Sequence, residues 1–171
     1  MSKEIKIEGQ IAIVPLSLGR ETIIDAALAE WASKWNWFVQ IGSSGLAYAK
    51  RNRLAEDGGN PRGRAVLMHR AILKPPSDRF VDHINGDGLD NRRANLRIVT
   101  HSQNMRNIRM PKHNTSGFHG VSWCSYTKKW MAHITIDKKF KNLGRFTTPE
   151  AAFEARVLAE KIYYGEYARV R

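Results

Sequence analysis

From Val81 to Asn104 the chain reads VDHINGDGLDNRRANLRIVTHSQN, where two histidines, four asparagines, three aspartates and three arginines share twenty-four positions with few apolar residues. This stretch constrains the fold more than any other. FVDHI has the make-up of a strand, NGDGLDN that of a turn and NLRIV that of a second strand, so the segment forms a hairpin with a polar loop. Thr100 and Gln103 then give the T-x-x-Q pattern of a capping box, which predicts a helix with Thr100 as N-cap that runs through QNMRNIR until Pro111 stops it. His101, Asn104 and Asn107, three residues apart, fall near one face of that helix. A polar hairpin followed by a helix with an asparagine face makes an odd core and a reasonable active site.

Charge narrows the partner. The 171 residues carry 28 Lys plus Arg against 16 Asp plus Glu, a formal charge of +12, which suits a polyanion. Residues 1–60 are neutral, with seven basic and seven acidic side chains; residues 61–113 carry eleven and four, and residues 114–171 ten and five. Polyanion binding is therefore expected of the second and third segments, with the first supplying packing or orientation. With no apolar run of membrane-spanning length and acidic residues near its start, the chain is expected to be soluble, cytoplasmic and without a membrane partner. The single cysteine, Cys124, excludes an internal disulfide framework and zinc sites built on paired cysteines. Nothing in its neighbouring sequence is expected to lower its pKa, and it reads as a small core or sheet residue.

In the neutral segment, IKIEGQIAIVPL suits a strand with Pro15 at an edge or end. ETIIDAALAEWASKW sets Ile24, Leu28, Trp31 and Trp35 at helical spacing, which predicts one amphipathic helix. WFVQI and LAYAKRNR pair around GSSG, and EDGGNPRGR is a loop. AVLMHRAIL predicts a short helix that ends before KPPSD. Beyond the PKHNTSG linker, GVSWCSY, KWMAHITID and FKNLGRF are three strands. A helix follows with Thr148 as cap, Pro149 at its first position, Gly165 at its end and a stripe of Ala152, Ala155, Val157, Leu158, Ala159 and Ile162.

In the polar stretch, an aspartate carboxylate and an asparagine carbonyl are hard oxygen donors that favour Mg²⁺ or Mn²⁺ over Zn²⁺, with waters and phosphate oxygens completing the shell. A neutral histidine beside them can take a proton from water near neutral pH. A calcium-loop alignment of HINGDGLDNRRA fails, because it puts His83 at the first ligand and Ala94 at the last, where a glutamate is needed.

Asp82-His83, then Asn95 twelve residues after the histidine and Asn104 nine further on, resembles the HNH endonucleases of the ββα-metal fold, notably phage and intron-associated homing enzymes, over about residues 62–110. The resemblance implies that Asp82 and Asn104 ligate one divalent metal ion, Mg²⁺ or Mn²⁺, that His83 is the general base, and that Asn95 braces the loop. Arg92, Arg93, Arg97 and Arg106 would hold phosphates, with His69 and His101 as weaker site candidates.

Residues 115–169 resemble the plant ethylene-response-factor (Apetala-two) DNA-binding domain. The shared residues are Gly120-Val121, Lys129-Trp130, Leu143-Gly144, Phe146-Thr147 and the E-A-A helix start. That resemblance implies a three-stranded sheet entering the major groove of double-stranded DNA. Trp123, Tyr126, Lys128, Trp130, His133, Thr135 and Arg145 are its groove-face candidates, with Lys129 added as a DNA contact. Strand alternation in KWMAHITI sets Trp130 and His133 on opposite faces unless a bulge intervenes, which favours His133 and Thr135 at the groove.

The expectation is thus an α+β chain with a β/α region over 1–60, an HNH nuclease domain over 61–113 and a sheet-plus-helix DNA-binding domain over 114–171. It would act as a metal-dependent, sequence-biased homing-type DNA endonuclease leaving 5′-phosphate and 3′-hydroxyl ends, a monomer, which is favoured, giving a nick and a dimer or rebinding a double-strand break. The alternative is a catalytically inactive DNA-binding regulator.

Overall fold

The computed structural model of the chain describes residues 4–42, 45–57, 65–107 and 114–168. It is a mixture of helices and strands in several small antiparallel sheets, with two compact units, Met1–Thr100 and His101–Arg171. The tip of GSSG, the loop over 58–64, the expected stop at Pro111 and the first half of the PKHNTSG linker lie outside the described residues.

The first unit opens with β1 (Lys6–Glu8), β2 (Ile11–Pro15) and β3 (Glu21–Asp25) in one antiparallel meander. Pro15 sits at the end of its strand, where its missing N–H does least harm. β3 corrects the expected helix over 21–35. Thr22, Ile23 and Ile24 are β-branched and pair with Val14, Ile13 and Ala12 of β2. Only after Asp25 does the chain turn helical, through a single 3₁₀ turn into α1 (Ala29–Ser33). Trp37, 1% exposed, then anchors the core, its indole N–H donating to the Ala32 carbonyl.

β4 (Phe38–Ile41) and β5 (Ala47–Arg51) form the expected pair, and β6 (Val66–Leu67) adds a third strand. The helix α2 (Met68–Leu73) starts three residues later than its pattern suggests and ends at Lys74, which takes a left-handed φ of 47° ahead of the two prolines. β7 (Phe80–His83) and β8 (Leu96–Val99) make the predicted hairpin, with Asp82 opposite Arg97 and His83 opposite Leu96. One apolar cluster joins these pieces: Ala12, Val14 and Ile24 from the meander, Ala49 from β5, Met68 and Ile72 from α2, and Leu96 from the hairpin.

The second unit begins with α3 (His101–Asn104), shorter than its cap pattern suggests because the chain tightens into a 3₁₀ turn over Met105–Asn107. β9 (Val121–Cys124), β10 (Lys129–Ile136) and β11 (Lys139–Phe146) follow as an antiparallel sheet with β10 central. Asp137 and Lys138, both at positive φ, close the two-residue turn between β10 and β11. Cys124 is half-buried in β9, and, contrary to expectation, the neighbouring Thr127 holds its thiol below the ordinary range.

α4 (Pro149–Tyr164) starts where predicted, the Thr148 hydroxyl accepting from the Ala151 N–H, and ends at Gly165. Its buried side differs from the apolar stripe. Leu158 and Ile162 are exposed, whereas Ala152, Arg156, Ala159, Glu160 and Tyr164 are buried. Arg156 turns inward because its Nη1 finds the His133 carbonyl and its Nε donates to Glu160 at 2.8 Å. Gly120 makes room for this arrangement: its φ is +67°, and a Cβ there would stand 2.6 Å from the His133 oxygen and 2.7 Å from Arg156.

A buried ion pair is unforgiving when half of it is removed. Arg156→Met should destabilise the protein by about 3–5 kcal/mol by stranding the Glu160 carboxylate, and Arg156→Met with Glu160→Leu should recover much of that loss. Urea titrations of the three proteins check this.

Candidate active site

The site grows from the β7–β8 hairpin of the first unit. Strand alternation would send Asp82 and His83 to opposite faces, yet both are buried, because the polar loop folds back over the strand end. Asn95 holds that loop. Its Nδ2 donates to Asn85 Oδ1 at 3.0 Å and to the Asp90 carbonyl at 2.8 Å, while its Oδ1 accepts from the Asn85 N–H at 3.0 Å. Its own carbonyl takes the Ile84 N–H. Asp90, also buried, receives Arg92 through Nε at 2.8 Å and Nη2 at 2.7 Å, with Asn85 Nδ2 at 3.0 Å. Burial pushes the Asp90 carboxyl up, but these hydrogen bonds prevail and hold it below the usual carboxylate range.

Two glycines serve the loop, Gly86 at a φ of +76° and Gly88 at a close approach. A Cβ on Gly88 would fall 2.3 Å from the Ala47 carbonyl oxygen and 2.7 Å from the Tyr48 ring. The loop therefore lies directly on β5, and Tyr48 reaches from there to the histidines. The Tyr48 ring lies 5.7 Å from His69 and 6.0 Å from His83, and His69 stands edge-on to His83 at 5.0 Å.

His83 is 5% exposed, with Nε2 3.2 Å from Asn91 Oδ1. Burial lowers its pKa below the ordinary imidazole value, although the Asn91 hydrogen bond and the carboxylates of Asp82, Asp87 and Asp90 pull upward. A ring so placed is neutral at neutral pH and able to accept a proton. Asp82 carries Arg97 on Oδ2, through Nε at 2.9 Å and Nη2 at 2.7 Å. Among the described residues no group of three or more His, Cys, Asp or Glu could hold a metal ion. The Asp82 carboxylate is a hard oxygen donor, whose chemistry suits a cation that keeps most of its shell in water and phosphate.

The structure thus gathers Asp82, His83, Asn95, Arg92 and Arg97 in one unit, and Asn104 belongs to α3 of the other. Arg93 is exposed, its backbone N–H held by Asp25 Oδ2 at 2.9 Å. In the second unit the Arg106 guanidinium lies over the Tyr164 ring at 4.5 Å, and His101 is exposed on α3. Sequence reasoning passed over Asn91, Asn85, Asp90 and Tyr48, and ranked His69 low. Asn91 had no signal beyond turn composition, since its role depends on which loop residue lands under the imidazole.

A family model described as HNH endonuclease matches residues 74–106, which span the hairpin, its loop and α3. The chain belongs to the HNH endonucleases. It is 33% identical over 112 residues to protein 3.8 of Escherichia phage T7, covering 65% of this chain and 91% of that protein. It is 29% identical over 170 residues to the uncharacterized HNH endonuclease L560 of Acanthamoeba polyphaga mimivirus, covering 95% of this chain and 81% of that protein. No solved structure matches it. Membership makes the chain a nuclease and puts the hairpin with its buried histidine inside the matched region. No helix among the described residues is long and apolar enough to cross a membrane.

His69 gives this site a pH signature. It is buried, its Nδ1 has no hydrogen-bond partner among the described residues, and burial, with the nearby His83 and Arg70, lowers its pKa from 6.5 to about 3. The folded value lies below the unfolded one, so this contribution to stability is complete above the unfolded pKa. It is lost as pH falls from about 6.5 toward about 3, where the unfolded chain takes up a proton that folded His69 refuses. Urea midpoints measured across that window should fall for the wild type and fall less steeply for His69→Phe, with His83 supplying part of the remaining slope.

Proposed function

We propose that this HNH endonuclease hydrolyses phosphodiester bonds of double-stranded DNA with His83 as general base and Asp82 and Asn104 as ligands of one divalent ion, Mg²⁺ or Mn²⁺. The observation that carries the reading is a buried His83 next to an Asp82 paired with Arg97, inside the region matched by the family model. His83 takes the proton of the attacking water; when bound, the ion supplies positive charge for the phosphorane and the departing 3′ oxygen, so the products carry 5′-phosphate and 3′-hydroxyl ends. Asn95 keeps the loop closed under the imidazole. Arg92, Arg93, Arg97 and Arg106 hold phosphates, Arg97 doing so while it orients the Asp82 carboxylate.

In this reading residues 61–113 are the nuclease domain, residues 1–60 its buttress and residues 114–171 a reader of the Apetala-two type that biases cleavage toward a target sequence, as in a homing enzyme. The outer face of the β9–β11 sheet supports the last assignment. Alternation along β10 is unbroken: Ala132 and Ile134 are buried, Trp130 packs on the Ala132 cluster, and His133 and Thr135 face the other way. The register shift falls in β11, where Leu143 is the extra residue, so Asn142 stays opposite His133 and Arg145 opposite Met131. Lys129, Thr135 and Arg145 are thereby exposed on one face, with Tyr126, 94% exposed, and Lys128 in the turn at its end. The chain works as a monomer that cuts one strand per engagement.

Supercoiled plasmid incubated with wild type and Mg²⁺ or Mn²⁺ should pass to open-circle or linear form, with no cleavage in EDTA. His83→Ala should lose at least about a hundredfold in rate. A His83→Ala protein that cuts as fast as wild type would remove His83 from the base role. For the reader face, Arg145→Ala should weaken DNA retention in a gel shift and lower the slope of log affinity against log salt by about one. An unchanged slope would take Arg145 off the phosphate contacts.

A further inference from the structure

Thr22 lies in β3 of the N-terminal meander, far in sequence from the polar loop, yet it is 1% exposed and bonded into it. The segment Leu89–Asn91 runs along the edge of β3: the Ile23 N–H donates to the Leu89 carbonyl at 3.0 Å, and the Asn91 N–H donates to the Ile23 carbonyl at 2.8 Å. Beneath that edge the Thr22 hydroxyl donates to the same Leu89 carbonyl at 2.6 Å. A hydroxyl has one proton. With it committed to a carbonyl, Thr22 Oγ1 can only accept from the Asn91 amide 2.8 Å away, so the group facing it is Nδ2.

Asn91 Oδ1 is then the atom facing His83 Nε2 at 3.2 Å. Asn91 is 0% exposed and its backbone is pinned, so the amide has no route to water. An amide oxygen accepts and never donates. The proton between the two residues must therefore sit on His83 Nε2, which puts the lone pair of the neutral ring on Nδ1.

We infer that Thr22 is a positioning residue for His83: through Asn91 it fixes the neutral imidazole as the Nε2–H tautomer and makes Nδ1 the proton-accepting atom. The catalytic consequence rests on His83 being the general base, whereas the tautomer follows from the hydrogen-bond chain alone. Without the Thr22 hydroxyl, Asn91 loses the group that orients its amide. Once the amide turns, Nδ2 faces His83, the ring accepts at Nε2, and its proton moves to Nδ1, where the base is needed.

The test uses the full chain without metal, at a pH well above the ordinary imidazole value of about 6.5. Long-range ¹H–¹⁵N spectra of the imidazoles, with His83 assigned from His83→Gln, give the tautomer directly. Wild type and Thr22→Ser should show Nε2–H, and Thr22→Val should show a substantial Nδ1–H population. In plasmid cleavage Thr22→Val should lose about tenfold in kcat with KM unchanged, and Thr22→Ser should restore turnover. Should Thr22→Val fail to fold, Thr22→Ala carries the same expectation. A wild-type ring protonated on Nδ1, or a hydroxyl-free variant that keeps the Nε2–H tautomer, overturns the inference. Failure of the base reading would appear elsewhere, as cleavage by His83→Ala.

Discussion

A polar loop can be buried only if its donors and acceptors are satisfied, and this requirement organises the first unit. The loop between β7 and β8 carries amides and carboxylates that would each lose about 1–3 kcal/mol if buried without a partner. Asn95 and Asn85 satisfy one another and the loop backbone, and Asp90 is met by Arg92 and Asn85. The remaining groups, on Leu89 and Asn91, need an outside partner. The edge of β3 supplies it, with two backbone hydrogen bonds and the Thr22 hydroxyl. The meander is thus the other half of the loop's hydrogen-bond inventory, which gives the neutral first segment a physical reason to be present beside a basic nuclease hairpin.

Much of this was legible in the sequence, because hairpins and caps announce themselves locally. FVDHI and NLRIV carried strand composition on either side of a turn-rich run, and Thr148-Pro149 with Gly165 bracketed α4. The misreading at 21–35 had a physical cause. Ile24, Leu28, Trp31 and Trp35 do recur at helical spacing, but three β-branched residues in a row found partners in β2, and long-range pairing overrode the local pattern. That one error hid the Thr22 contact. Only as a strand does the segment put Thr22 on the same inward face as Ile24, where a hydroxyl among apolar neighbours would have stood out. Asp82, His83 and Asn95 were legible as a motif, whereas the packing of His69, Tyr48 and Asn91 around the imidazole depends on contacts between segments that no local pattern encodes.

The second unit shows the same division between local and distant signals. The three strands and their short turns follow from alternation and from residues that tolerate positive φ, such as Asp137. The inward face of α4 does not. Counting apolar residues selects Leu158 and Ile162, yet small alanines at 152 and 159 allow the helix to approach the sheet, and a buried Arg156 is tolerated because a strand carbonyl and Glu160 receive its donors. A polar pair at a packed interface overrides hydrophobicity when it satisfies a backbone carbonyl, here that of His133 beside Gly120.

Rigidity around His83 carries a stability penalty, and His69 shows where it falls. An imidazole buried with an unpartnered Nδ1 is a poorer core residue than a phenyl ring of similar size, which would leave no polar atom unsatisfied. Its edge-on contact at 5.0 Å, together with Tyr48, walls the His83 ring on sides that Asn91 does not reach. Held by a hydrogen bond at one nitrogen and by ring contacts, His83 has little freedom to rotate. In the proposed base role, a lone pair that must point at one water gains more from that restriction than the fold loses to it, since misdirection of the acceptor is a direct loss of rate.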